Sequence, residues 1–168
     1  MPLLPRLLPR RSRLPDAVRA LALLPGERRL AWGTTPGGEV VMATDLALHL
    51  PRSGRVEWAD VEKVTWRRPQ LTVVRVATIE GTGPREALEL VDDDRLADVV
   101  RSQVTASIGW SDHVRLSPAG GVRVVGRRRP GRELLDWQLV FDAGTDPDDP
   151  VLRSQAEAVV DRARRTIG

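Results

Sequence analysis

The apolar and polar positions divide the chain at about residue 108. Before that point apolar residues recur mostly with the two-residue period of half-buried strands. After it, three more strands give way to one long helical stripe. The best-defined stretch is Arg55 to Ala77, RVEWADVEKVTWRRPQLTVVRVA. It predicts a short strand ending at Trp58, a tight step over Ala59 and Asp60, a strand from Val61 to Arg67, and another from Gln70 to Ala77. Trp58, Val61, Val64 and Trp66 are its apolar anchors, and Val64 and Trp66 share one face while Thr65 turns away. Leu71, Val73, Val74 and Val76 are aliphatic, as expected of a strand set against a core. Trp58 and Trp66 are expected to be largely buried.

Upstream, Asp16 to Leu24 predicts a short helix, with Asp16 near its start, Pro25-Gly26 as its stop, and Leu14, Val18, Leu21 and Ala22 facing inward. From Arg29 the period becomes strand-like, with Leu30 and Trp32 alternating with Arg29 and Ala31. Thr35-Pro36-Gly37-Gly38 turns the chain into a strand from Glu39 to Ala43. Thr44-Asp45 leads to another from Leu46 to Leu50, and Pro51 to Gly54 closes a hairpin onto the next. A strand from Arg85 to Val91 follows the turn at Glu80 to Pro84. The count is six or seven antiparallel strands. Asp92, Asp93 and Asp94 then place three carboxylates at the start of a helix over 93–108, where the dipole favours them. Leu96, Val99, Val100, Val104 and Ile108 form its stripe.

Ala43 to Leu50 (ATDLALHL), followed by RVEWADVEKVTW, resembles the pleckstrin-homology-like superfamily, in particular its small bacterial members. Those carry a Thr-Asn/Asp-x-x-Leu turn between two strands, then a hydrophobic step and a short acidic turn into a long strand. The resemblance covers Glu27 to Ile108. It implies an α+β fold in which an antiparallel PH-like barrel or sandwich of two roughly orthogonal sheets is capped by the helix over 93–108. The overall pattern also resembles that of a group of actinobacterial proteins, a likeness that brings no activity with it.

Residues 109–168 read as a second unit, βββα. Trp110 to Leu116, Val122 to Arg129 and Leu134 to Phe141 are the strands, joined by turns at Pro118 to Gly121 and at Pro130-Gly131. Leu135, Trp137, Leu139 and Phe141 share one face of the last strand, and Val122, Val124 and Gly126 share one face of its neighbour. Asp149-Pro150 caps a helix whose stripe is Leu152, Ala156, Val159, Val160, Ala163 and Ile167. Three strands and one helix cover each other thinly. The helix seam is therefore expected to pack on the first unit (residues 15–108) or on a second copy, as a homodimer.

Composition adds limits. The 168 residues are 41% hydrophobic and 29% charged, ordinary for a globular protein, and there is no cysteine for disulfides or thiolate metal sites. No apolar run reaches membrane-spanning length, and Met1 to Arg13 lacks the apolar core of a signal peptide, so a cytoplasmic location is expected. Four prolines within residues 1–15 predict a loose basic arm over 1–14. Of 26 cationic residues all but Lys63 are arginine. Arg6, Arg10, Arg11 and Arg13 supply four charges of a net +3, which leaves the rest of the chain at −1. The pI of 10.7 is accordingly weak evidence for nucleic-acid binding.

Candidate chemistry is sparse. His49 lies between Leu48 and Leu50 as an ordinary strand histidine, and His113 sits in a polar turn or at a strand edge. Two isolated histidines make no zinc site. Asp92 to Asp94 lack calcium-loop spacing, the Glu80–Pro84 glycines lack a nucleotide-loop lysine, and no nucleophile elbow is present. The five tryptophans read as core anchors. No catalytic residue, metal or cofactor is expected. One cluster has a functional pattern: Arg123, Arg127, Arg128, Arg129 and Arg132, five cations in ten residues with no acid among them. Arg127 and Arg129 share the face opposite the apolar one and are expected to project into solvent, either as an anion or partner site or as a solvated hairpin paired with Asp136, Asp142 and Asp146 to Asp149. The solvated hairpin is favoured. The leading functional expectation is a non-catalytic module that binds a protein partner. Contact with anionic lipid or nucleic acid through the arm and the arginine hairpin comes second, and an enzyme with an unrecognised site comes last.

Overall fold

The computed structural model describes residues 14–76, 83–91 and 95–167. A short helix, α1 (Asp16–Ala20), precedes four strands: β1 (Arg29–Thr34), β2 (Val40–Thr44), β3 (Ala47–Leu50) and β4 (Gly54–Glu57). They pair in sequence order as an antiparallel sheet. A single 3-10 turn, Trp58–Asp60, hands the chain to β5 (Val61–Arg67), β6 (Gln70–Arg75) and β7 (Arg85–Glu89), a second antiparallel sheet. Then α2 (Leu96–Ser107) runs straight into β8 (Ile108–Arg115). With β9 (Gly121–Arg127) and β10 (Asp136–Phe141), β8 forms a third antiparallel sheet in the order β10-β9-β8, and α3 (Pro150–Ile167) ends the described chain. The fold is α+β with three antiparallel sheets, and the first two stay separate rather than closing into a barrel among the described residues. No described helix is long and apolar enough to cross a membrane.

The first two sheets and α2 share one core, built on Val41, Leu48, Val56, Trp58, Leu71, Val73, Leu96 and Val100. Trp58 is buried as expected, and its indole N–H donates to the Thr44 carbonyl at 3.0 Å. Trp66 is only half-buried. It lies on β5, which among the described residues pairs on one side alone, so one flank of the ring lacks a neighbouring strand there. The alternation in β1 also has the opposite phase to the one its largest residues suggest: Ala31 and Gly33 point inward while Leu30 is exposed. Since α2 packs on β1 and β2, small residues there let the helix approach closely.

Two local expectations are corrected. Helix α1 stops at Ala20 rather than Leu24, and Ala22 is exposed. The Arg29 guanidinium takes the carbonyls of Val18, Arg19 and Leu21 at 3.2, 3.2 and 3.1 Å, which satisfies the helix end without another turn. The capping role of Asp92 to Asp94 falls outside the described residues, as does the arm before Leu14; α2 is described from Leu96. The Asp149 cap is present, with its Oδ1 accepting the N–H groups of Val151 and Leu152 at 2.8 and 3.1 Å.

One buried carboxylate, Glu86 on β7, reaches the β3–β4 turn. It accepts the N–H groups of Arg52 and Ser53 at 3.1 and 3.0 Å and the Ser53 hydroxyl at 2.6 Å, joining the two sheets.

The βββα unit has its own core: Leu116, Val122 and Val124 against Leu152, Ala156, Val159 and Val160. On this face Trp110 and Trp137, from the two outer strands, meet edge to face at 5.4 Å over Gly126, where a Cβ would come within 3.2 Å of the Trp137 ring. Ile167, expected in the stripe, is 44% exposed at the last turn. The helix seam is not what joins this unit to the first. Strand parity places Arg127 and Gln138 on the sheet face away from the one that carries Val122, Val124 and Gly126, and it is these side chains that reach across.

Candidate interaction site

The seam is built from the arginine hairpin and the acidic step after β4. Arg127 is only 3% exposed. Its guanidinium donates to the Gln138 side-chain oxygen at 3.2 Å, the Ser107 hydroxyl at 2.8 Å and the Glu62 carbonyl at 3.2 Å. Burial pulls its pKa below the usual value, with the charges of Glu62 and Asp60 acting in opposition. Gln138 completes the contact by donating to the Ala59 carbonyl at 2.8 Å.

Arg129 carries the ionic part. Its Nη2 donates to Asp60 at 2.6 Å, its Nη1 to Glu57 at 2.5 Å and to Asp60 at 3.2 Å, and its Nε to Asp136 at 2.6 Å. Glu57 caps the start of the 3-10 turn and Asp60 is its last residue; positions three apart eclipse in such a turn, so both carboxylates face one guanidinium. Asp60 is the largest cause that raises the Arg129 pKa; burial opposes it, and Asp136 and Glu57 add to it.

The expectation that Arg127 and Arg129 project into solvent is therefore corrected. Arg127 lies on the face opposite Val122 and Val124, but the first unit covers it, and Arg129 follows just past the end of β9. Arg123 and Arg128 are exposed, and Arg128 donates to the Ile108 carbonyl at 3.1 Å. Arg132 reaches Asp136 at 3.4 Å with its side chain 63% exposed. The five arginines thus divide: two are turned into the seam and three lie at the surface. Of the acids expected to pair with them, Asp136 does so, whereas Asp142 bonds His113 and Asp149 caps α3.

The ion pairs continue backwards. Glu57 also accepts from Arg55 at 3.3 Å, and Arg55 donates to Glu27 at 3.4 Å, so charges alternate from Glu27 through Arg55, Glu57, Arg129 and Asp136 to Arg132. The Glu27 carboxylate is fully buried. It also accepts from the Thr44 hydroxyl at 2.5 Å and the Leu24 N–H at 3.0 Å, and lies 3.3 Å from the His49 ring. Burial works against its ionised form, but those donors together with the Arg55 charge hold its pKa below the usual carboxylate value. His49 is accordingly a buried partner of Glu27.

Two open grooves are present, one bordering this network and one on the α3 face of the small sheet. One, of about 600 Å³, lies between α1 and the β3–β4 hairpin, with Leu21, Val40, Leu50 and Pro51 as apolar walls and His49 and Arg55 on its polar side. The other, of about 300 Å³, has Trp137, Leu139 and Val160 as its floor and Glu157, Asp161 and Arg164 on its rim. Among the described residues, no three metal-ligating side chains gather.

Sequence reasoning missed Glu27, Glu57, Asp60, Glu86 and Gln138. Only Glu57 and Asp60 carried a signal, as two acids spaced by three around a tight step. Compared with family models, curated proteins and solved structures, the chain matches none.

Proposed function

We propose that this chain is a non-catalytic, cytoplasmic interaction module that binds a protein partner, with a pleckstrin-homology-like first unit. Support for the PH-like arrangement is the order of elements: four antiparallel strands, three more, then a helix packed on both sheets. The observation that carries the functional reading is the ionic chain from Glu27 to Arg132. It engages the charged side chains best placed for chemistry in fixing two units against each other, a scaffold's use of charge. The test is affinity capture on the full chain, followed by reconstitution with the purified candidate. A defined stoichiometric complex is the expected result, and turnover of a small molecule without any stable complex would overturn it.

A second reading, contact with anionic lipid or nucleic acid, is favoured by one observation: Arg123, Arg128 and Arg132 remain at the surface. It predicts binding to anionic vesicles or DNA that weakens steeply with salt and is lost when these three become alanine.

A further inference from the structure

We propose that the face of the β8–β10 sheet turned away from α3 is a recognition surface for acidic peptide segments, and that residues 57–62 of this chain occupy it in cis. The inference deepens the reading of the chain as an interaction module and names the partner chemistry.

The contacts have the form by which a module reads a peptide. One guanidinium, Arg129, takes the carboxylates at positions 57 and 60. An amide, Gln138, takes the carbonyl at 59, and a second guanidinium, Arg127, takes the carbonyl at 62. Carboxylates recognised by a planar fork and main chain recognised by fixed donors are the elements of acidic-motif binding. The segment bound lies 65 to 79 residues away in sequence. Each unit keeps its own hydrophobic core, so this contact is polar side chain to peptide rather than a shared interior. The ligand is specified by the geometry: Glu-x-x-Asp on a single tight turn, presenting the carbonyl just before its Asp to Gln138 and the carbonyl two residues after it to Arg127. Tethering gives the internal segment a high effective concentration, on the order of millimolar, so an external segment binds only weakly until the internal one is disarmed.

The probe is a blocked peptide of residues 55–62 with Trp58→Ala, because that indole serves the first core rather than the seam. Its binding is measured by anisotropy on the full chain. The Glu57→Gln, Asp60→Asn double variant should bind it at least tenfold more tightly than the wild type. The gain should vanish when Arg129→Ala is added, or when the peptide carries glutamine and asparagine at the two acids. Equal affinity for wild type and double variant, or a gain that survives loss of Arg129, would overturn the assignment. So would displacement of the peptide by duplex DNA or anionic vesicles as effective as by the acidic peptide itself. Should the double variant not fold, the wild type serves. Saturating peptide should then raise amide exchange within residues 57–62, and unchanged exchange sinks the proposal. A captured protein that forms a stable complex without touching this face would leave the module reading standing while this surface is abandoned.

Discussion

His113 and Asp142, on opposite sides of the small sheet, meet over its central strand because residue 121 has no side chain. The ring lies 2.8 Å from the carboxylate, and a Cβ at Gly121 would sit 2.3 Å from that carboxylate and 3.1 Å from the imidazole. Gly121→Ala should therefore break the pair. The pair is about half exposed, so the cost of losing it is up to about 1 kcal/mol. A double-mutant cycle checks this: in an Asp142→Ala background the alanine at 121 should cost measurably less, and full additivity would disprove the steric link.

Acid sensitivity should be concentrated at the corner where residues 27 and 45 lie. Glu27 and Asp45 both have pKa values held down, Glu27 by its donors against burial and Asp45 first by the Arg28 N–H and then by its side chain. A depressed folded pKa means stability that is present above the unfolded value, here 4.5 and 3.8, and lost as pH falls through the folded one. Melting temperature should fall on acidification below about pH 4.5, and the Glu27→Gln, Asp45→Asn double variant should flatten that fall while lowering stability at neutral pH.

Trp58 and Trp66 of the first unit should separate by burial. Trp58→Ala removes a buried ring and should cost about 3–5 kcal/mol, while Trp58→Phe loses chiefly the bond to the Thr44 carbonyl, about 1 kcal/mol. Half-buried Trp66→Ala should cost less than Trp58→Ala in chemical denaturation.

Val160→Asp places a carboxylate in the core of the βββα unit, which the first core does not share. Amides from Ile108 onward should lose hydrogen-exchange protection while those of Val41 and Leu71 keep it. Simultaneous loss in both units would show that the seam alone makes them one cooperative body.

Much of the strand order was legible because turn residues sit between alternating runs: Thr35 to Gly38, Pro51 to Gly54 and the step at Ala59-Asp60 all fall where the chain turns. The phase of β1 was not legible, since large Leu30 and Trp32 outweigh small Ala31 and Gly33 in any hydrophobic count, whereas a closely packed helix rewards the small pair. The site was legible only in half. Periodicity gives the face on which Arg127 lies, but whether solvent or another unit covers that face depends on contacts 65 or more residues away. Glu27 and Glu86 were invisible for the same reason, as single acids whose main partners come from segments distant in sequence.

The direct passage from Ser107 to Ile108 gives the molecule a phase as well as a contact. With no spacer between α2 and β8, the azimuth of the small sheet is set by how many residues the helix contains. One residue inserted into the last turn of α2 would swing everything beyond it by about 100° around the helix axis. Arg127 and Arg129 would then point away from the acidic turn although every side chain in both cores was unchanged. The length of α2 is in this sense the key that indexes one unit on the other, and insertions there should be tolerated only in steps of about a whole turn.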